Sequence, residues 1–304
     1  MPFNNGFGIP APPFDTYYGA FASNTATAIL LSLTAIWIAI GFLYYRKTKS
    51  PVVLILAMSG FLCDFVEPFL DVMGGCLWPI SPNLTLFTIL GRPMSLFSLS
   101  AWAGFGASMT CISYLMIHKV IEEKRPTSWL WLTFIIAGIV DVGFEEIMLN
   151  IHGLYVYYGN QPLILLSKFP WYYATLNGGG LFLASALAYR YRTQLSGWKA
   201  LLILLLVPMC EGANYGFTAM PVWIVANGQY GWLMTQAGGL ATVLLGFAVM
   251  AGIFELVLQR NPLALNANGT VQNSIHAPVA REAGAVTWSL LAQRLGQFES
   301  GSDD

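Results

Sequence analysis

Seven carboxylates stand inside otherwise apolar stretches of this chain: Asp64, Glu67, Asp71, Asp141, Glu145, Glu146 and Glu211. A charged group at bilayer depth costs roughly 2.5–3.5 kcal/mol on insertion scales, so such residues face a bundle interior or a cavity. Acids crowded into a low dielectric cannot all ionise, and protonated acids and carboxylates therefore coexist. That mixture is what general acid–base catalysis requires. Asp64, Glu67, Asp141, Glu145 and Glu211 are the candidate catalytic residues. Asp71, His152, Tyr155, Tyr157, Asn177, Asn214 and Tyr215 are the candidate substrate-binding residues.

The elements that must hold these groups are membrane helices. Stretches at 24–45, 51–73, 95–117, 127–151, 170–190, 197–224 and 231–258 are each near the ~20 apolar residues a bilayer crossing needs. The expected fold is an all-α, polytopic seven-transmembrane-helix bundle over 24–260. An external segment, 1–23, precedes it, and a cytoplasmic, disordered tail, 261–304, follows. Within that tail, Trp288–Phe298 is a candidate surface-lying helix, although a plain tail is the favoured reading. Arg46, Lys47, Lys49, Lys119, Lys124, Arg125, Arg190, Arg192, Lys199 and Arg260 flank alternate span ends, whereas the opposite loops offer only Arg92 and Lys168. The positive-inside rule then predicts the N-terminus outside and the C-terminus in the cytoplasm. The external loops at 74–94 and 152–169 are expected to cap the outer mouth.

Depth and facing converge. Asp64, Asp141 and Glu211 each lie fourteen residues into a span that runs outward, about 21 Å up at 1.5 Å per residue. On straight helices Asp64, Glu67 and Asp71 fall within about 60° of one another. Asp141, Glu145 and His152 share a second stripe, and Glu211, Asn214, Tyr215 and Thr218 a third. Asn177 enters the fifth span at a compatible depth. The expectation is one polar cavity in the outer half of the bundle, with no basic residue at its level. Glu146 points away from Glu145, and Glu255 sits near Arg260; both read as structural.

Composition agrees with a membrane protein. The chain is 56% hydrophobic and 10% charged, with a mean hydropathy of +0.60, far from the quarter charged residues of a soluble domain. With 14 Lys+Arg against 15 Asp+Glu, nothing predicts a nucleic-acid partner. The expected partners are the lipid bilayer and a hydrophobic small-molecule substrate. A retinal protein needs a lysine in its last span, and 231–258 contains none. The three histidines cannot supply a zinc hydrolase. Asp64-x-x-Glu67-x-x-x-Asp71 resembles the magnesium-diphosphate motif of membrane prenyltransferases, but Cys63 stands where that family has Asn and Glu67 replaces Asp. No metal and no cofactor are expected.

Spans four and five carry a closer resemblance. Asp141 and Glu145 are followed by His152-Gly153-Leu154-Tyr155-Val156-Tyr157-Tyr158-Gly159 and then by Phe169-Pro170. Over about residues 60–180 the chain resembles the avermectin-pathway spirocyclase-like (AveC-like) membrane family. The matching positions are Asp141, Glu145, Tyr155 and Tyr157, with Lys124-Arg125-Pro126 before the fourth span. The resemblance implies closure of a polyketide-like chain to a cyclic ether or spiroketal. Small membrane terpene cyclases, which start a carbocation cascade with a proton from paired acids, are the alternative. A proton- or cation-coupled transporter is another, with Gly178–Gly180 and Pro208 as places to break helices.

Overall fold

The computed structural model describes residues 11–15, 19–78, 84–150 and 154–264. It is mostly helical, and each apolar stretch of the sequence lies on helix. The first forms α1 (Ala20–Thr48), which ends on Arg46, Lys47 and a left-handed cap at Lys49 (φ 61°). The second is broken. Helix α2 (Val52–Ser59) passes through a 3-10 turn (Gly60–Phe65) into α3 (Glu67–Gly74), with a 53° bend between the halves. Pro68 accounts for the break: its ring has no N–H to donate and crowds the carbonyl of Asp64 four residues back.

Helix α4 (Leu96–Glu122) is the buried centre, and Ser95 caps it by accepting from the Ser98 N–H at 3.3 Å. Around it stand α5 (Ser128–Asn150), α6 (Tyr173–Arg190), α7 (Ile203–Thr218) with α8 (Met220–Ala226), and α9 (Trp232–Gly252). A 3-10 turn, Gly197–Leu202, leads into α7, and a π-helical turn, Ile253–Val257, extends α9. Among the described residues, four helical segments are long and apolar enough to cross a membrane: Ala20–Thr48, Leu96–Glu122, Gly197–Thr218 and Trp232–Val257. The bent α2–α3 pair makes a fifth if it is one crossing. Large apolar side chains point outward along α1 (Ile29, Ile36, Leu43), α5 (Ile139, Val140, Ile147) and α9 (Leu233, Leu240, Leu244). An aqueous surface does not tolerate so much exposed apolar area, and a bilayer does.

Among the described residues, short strands occur only in the segments between helices. Strand β1 (Cys76–Leu77) pairs antiparallel with β4 (Val156–Tyr157), so the two long loops are tied together. Strands β2 (Thr85–Ile89) and β3 (Arg92–Ser95) form a hairpin whose Leu90–Gly91 turn has positive φ at both residues, 52° and 74°. That matches the twist favoured in two-residue hairpins. Helix α6 runs unbroken through Gly178–Gly180, and Pro208 lies inside α7. The expectation that these residues break helices therefore fails; the glycines instead allow close packing. A Cβ on Gly180 would come within 2.6 Å of the Glu211 Cα, and one on Gly179 within 3.0 Å of the Asn214 amide. All four cysteines are free and buried. His152, Asn83, most of the external segment 1–23 and the tail beyond 264, including Trp288–Phe298, lie outside the described residues.

Candidate functional site

A cleft of about 700 Å³, its open mouth included, lies between α3, α4 and α5 under the paired loops. Eight residues singled out from the sequence line it: Glu67, Asp71, Asp141, Glu145, Tyr155, Tyr157, Asn177 and Tyr215. They arrive on two walls. Helix α3 begins at Glu67 and brings Asp71 one turn later, and its C-cap Gly75 (φ 64°) turns the chain into β1. Helix α5 presents Asp141 and Glu145, also one turn apart. The bend at Val66 aims the first wall at the second, and Glu67 and Glu145 lie close enough to interact electrostatically.

Each wall has its own donors. The Trp78 indole donates to Glu67 Oε1 at 3.0 Å. The Tyr155 phenol donates to Glu145 Oε2, and the Asn177 amide donates to Asp141 Oδ2 at 3.0 Å. Tyr215 from α7 in turn donates to Asn177 Oδ1, completing a chain Tyr215–Asn177–Asp141 across three helices. Burial first, then the Glu145 carboxylate, pushes the Tyr155 phenol well above its ordinary range, so it stays a donor. The remaining lining is largely aromatic: Trp78, Phe97, Trp102, Phe105, Phe144 and Tyr173. Trp78 packs on Tyr155 at 4.7 Å and edge-on to Phe97 at 5.2 Å.

Three expected site residues do not reach the cavity. Asp64 and Glu211 are fully buried behind it, without a hydrogen-bond partner at any carboxyl oxygen among the described residues. The polar neighbour of Asp64 is Ser98, whose hydroxyl already donates to Ser95 O at 2.8 Å. Glu211 lies against Gly180. Asn214 is a strut, donating to Leu176 O at 2.9 Å and accepting from Thr218 at 3.1 Å. The three-helix carboxyl layer inferred from depth thus becomes a two-helix site. For Asp64 the reason is local: across a 3-10 turn and a 53° bend, the angular relation of a straight α-helix no longer holds. Glu211 and Asn214 are instead taken up where α7 packs against Gly180 and Gly179 of α6. Glu146 matches its structural assignment. It accepts from the Ser167 and Lys168 N–H groups at 3.3 Å and from the Trp171 indole at 3.4 Å, pinning the loop to α5.

Arg92 is an addition to the expected set. It follows the hairpin turn, is only 3% exposed, and donates to Cys76 O and to the Tyr158 hydroxyl. Its charge acts on Asp71 and Glu67, so the view that no base accompanies the acids is corrected. Burial raises the Tyr158 phenol above its usual range and the guanidinium opposes that shift. The sequence carries a signal for the hairpin, a β-prone Thr-Leu-Phe-Thr-Ile run ahead of Leu-Gly-Arg, but none for the burial of Arg92. Among the described residues no three of His, Cys, Asp and Glu converge as a metal site. Comparison with known protein families, characterised proteins and solved structures yields no match.

Proposed function

We propose that this protein is a seven-span integral-membrane cyclase, N-terminus outside and C-terminus cytoplasmic, that closes a hydrophobic polyketide- or isoprenoid-like chain by carboxylate acid–base chemistry. One observation carries the reading: two pairs of acids face one aromatic-lined cavity from two walls, and Glu67, Asp141 and Glu145 each hold a hydrogen-bond donor there. The likeness to spirocyclase-like proteins at Asp141, Glu145, Tyr155 and Tyr157 supports it, since all four line that cavity. The basic ends of α1, α4 and α6 support the orientation.

The chemistry follows from the two walls. A protonated acid on one wall gives its proton to the hydroxyl of a hemiketal. The C–O bond breaks, water leaves, and an oxocarbenium remains. A hydroxyl further along the same chain attacks that carbon, and its proton passes to a carboxylate on the other wall. The net change is loss of one water and closure of one ring. Aromatic faces stabilise the cation electrostatically, and holding a flexible chain in a near-attack fold supplies much of the acceleration. Asn177 and Tyr155 orient Asp141 and Glu145 for the transfer.

The aromatic lining also favours a second cyclase reading, in which the acid protonates an alkene or epoxide and starts a carbocation cascade. Membranes holding the protein, incubated with linear dihydroxy-ketones and separately with polyprenyl epoxides, distinguish the two. A dehydrated product from the first indicates spiroketal closure, and an isomer of equal mass from the second indicates terpene cyclisation. Uptake into sealed vesicles with no change of mass refutes both in favour of transport. A tag at Asp304 labelled from outside intact cells refutes the orientation.

A further inference from the structure

A second, larger space adjoins the acid cavity. It is a groove of about 1150 Å³ between α1, α4 and α5, lined by residues such as Leu30, Ile112, Met116, Thr133, Ala137 and Val140. It shares Phe105, Asp141 and Phe144 with the acid cavity, so the two meet at the catalytic wall of α5. Its far end is at Trp129, fifteen residues before Phe144, about 22 Å away at the helical rise. Ile112, Leu132, Ile136 and Val140 are exposed along its rim, so it opens sideways along the apolar flank and not toward the loops.

Its lining is selective. Two of its hydroxyls are spent on their own helices: Ser108 donates to Gly104 O at 2.7 Å and Thr133 to Trp129 O at 2.8 Å. Among the described residues Asp141 is the one ionisable group that lines it, and it sits at the end nearest the cavity. An occupant therefore has to be apolar along its length and polar at one tip. An ordinary annular lipid, with its headgroup at the interface, places polarity at the wrong place, because Asp141 lies well inside α5 and away from both helix ends.

Resting on the cyclase reading above, we propose that this groove is the lateral entrance and chain-binding channel of the enzyme. It takes a single long alkyl or isoprenoid chain directly from the bilayer and delivers the oxygen-bearing end past Phe105 and Phe144 to Asp141. The substrate class is a membrane-dissolved, single-chain amphiphile. Access from the water phase through the capping loops is not required.

The test uses the full-length protein in lipid nanodiscs and a photoactivatable octadecanol with a diazirine near its methyl end. The expected result is covalent label on peptides covering Trp129–Ile136 and Ile112–Met116, competed by unlabelled octadecanol but not by octanol. Ala137→Trp, which fills the channel at mid-length, is expected to cut that label at least tenfold. If the variant does not fold, competition on the unmodified protein decides the same question. Label spread equally over the outward face of α9, at Leu233, Leu240 and Leu244, with no competition by octadecanol overturns the proposal. Groove labelling without turnover of any linear substrate would instead count against the cyclase reading alone.

Discussion

Three of the four acids on the cavity walls differ from the acids behind them in their hydrogen bonds; the fourth, Asp71, shares with those an unpartnered oxygen, at Oδ2. Asp141, Glu67 and Asp71 are nearly as inaccessible as Asp64 and Glu211, at 3%, 8% and 2% exposure against 0%. Glu67, Asp141 and Glu145 each hold a donor from another element: Trp78, Asn177 and Tyr155. Asp64 and Glu211 hold none among the described residues. A buried polar group without a partner costs about 1–3 kcal/mol. The lesson is that burial of an acid in a membrane bundle does not identify a catalytic group; an oriented acid facing free volume does.

The largest expected effect tests that distinction directly. Asp141→Asn and Glu145→Gln should each lower the turnover of a linear substrate by about 10²- to 10⁴-fold, the usual worth of a positioned acid or base. Protein level and thermal midpoint should change little, because each amide keeps the shape of its acid. Product formation by isolated membranes, read by mass spectrometry, is the measurement. Normal turnover in both variants would dissolve the contrast between the two groups.

The base beside the α3 wall comes next. Arg92→Gln should destabilise the protein by about 2 kcal/mol, since it removes charge-assisted hydrogen bonds to Cys76 O and the Tyr158 hydroxyl. A lowered unfolding midpoint in detergent checks this, and Arg92→Lys should restore only part of it because a lysine cannot present a planar fork. Smaller again is Tyr155→Phe. Losing the donor to Glu145 should reduce turnover by about tenfold, close to 1.4 kcal/mol, with little change in substrate affinity. An unchanged rate would mean that Tyr155 closes the cavity without orienting Glu145.

What can be read from the chain follows the same division. Long apolar runs and carboxylates inside them are strong signals, and with the polar stripes they locate the helices and six of the cavity residues; Tyr155 and Tyr157 enter through the resemblance alone. They mislead where geometry departs from a straight helix. A straight-helix angle puts Asp64 with Glu67, and the Pro68 break invalidates it. The same spacing rule groups Glu211 and Asn214 with Tyr215, although only Tyr215 extends to the cavity. In sequence Arg92 looks like a loop charge, because its burial depends on contacts with Cys76 O and with Tyr158, sixty-six residues away, which local composition does not encode. The meeting of β1 with β4, about eighty residues apart, is of the same kind.

The smallest expected effect is the sharpest test of the comparison. Asp64→Asn and Glu211→Gln should leave turnover within about threefold of the unmodified protein, under ~1 kcal/mol in barrier. Neither carboxyl lines the cavity, so neither can touch substrate without rearrangement. Each substitution replaces an unpartnered acid by an amide of nearly the same volume, so the packing is kept and one unpartnered polar group stands in for another. The unfolding midpoint should therefore change little. A loss of turnover comparable to that of Asp141→Asn, at unchanged stability, would show that these acids relay protons to the cavity, and the division between wall and backing would have to be abandoned.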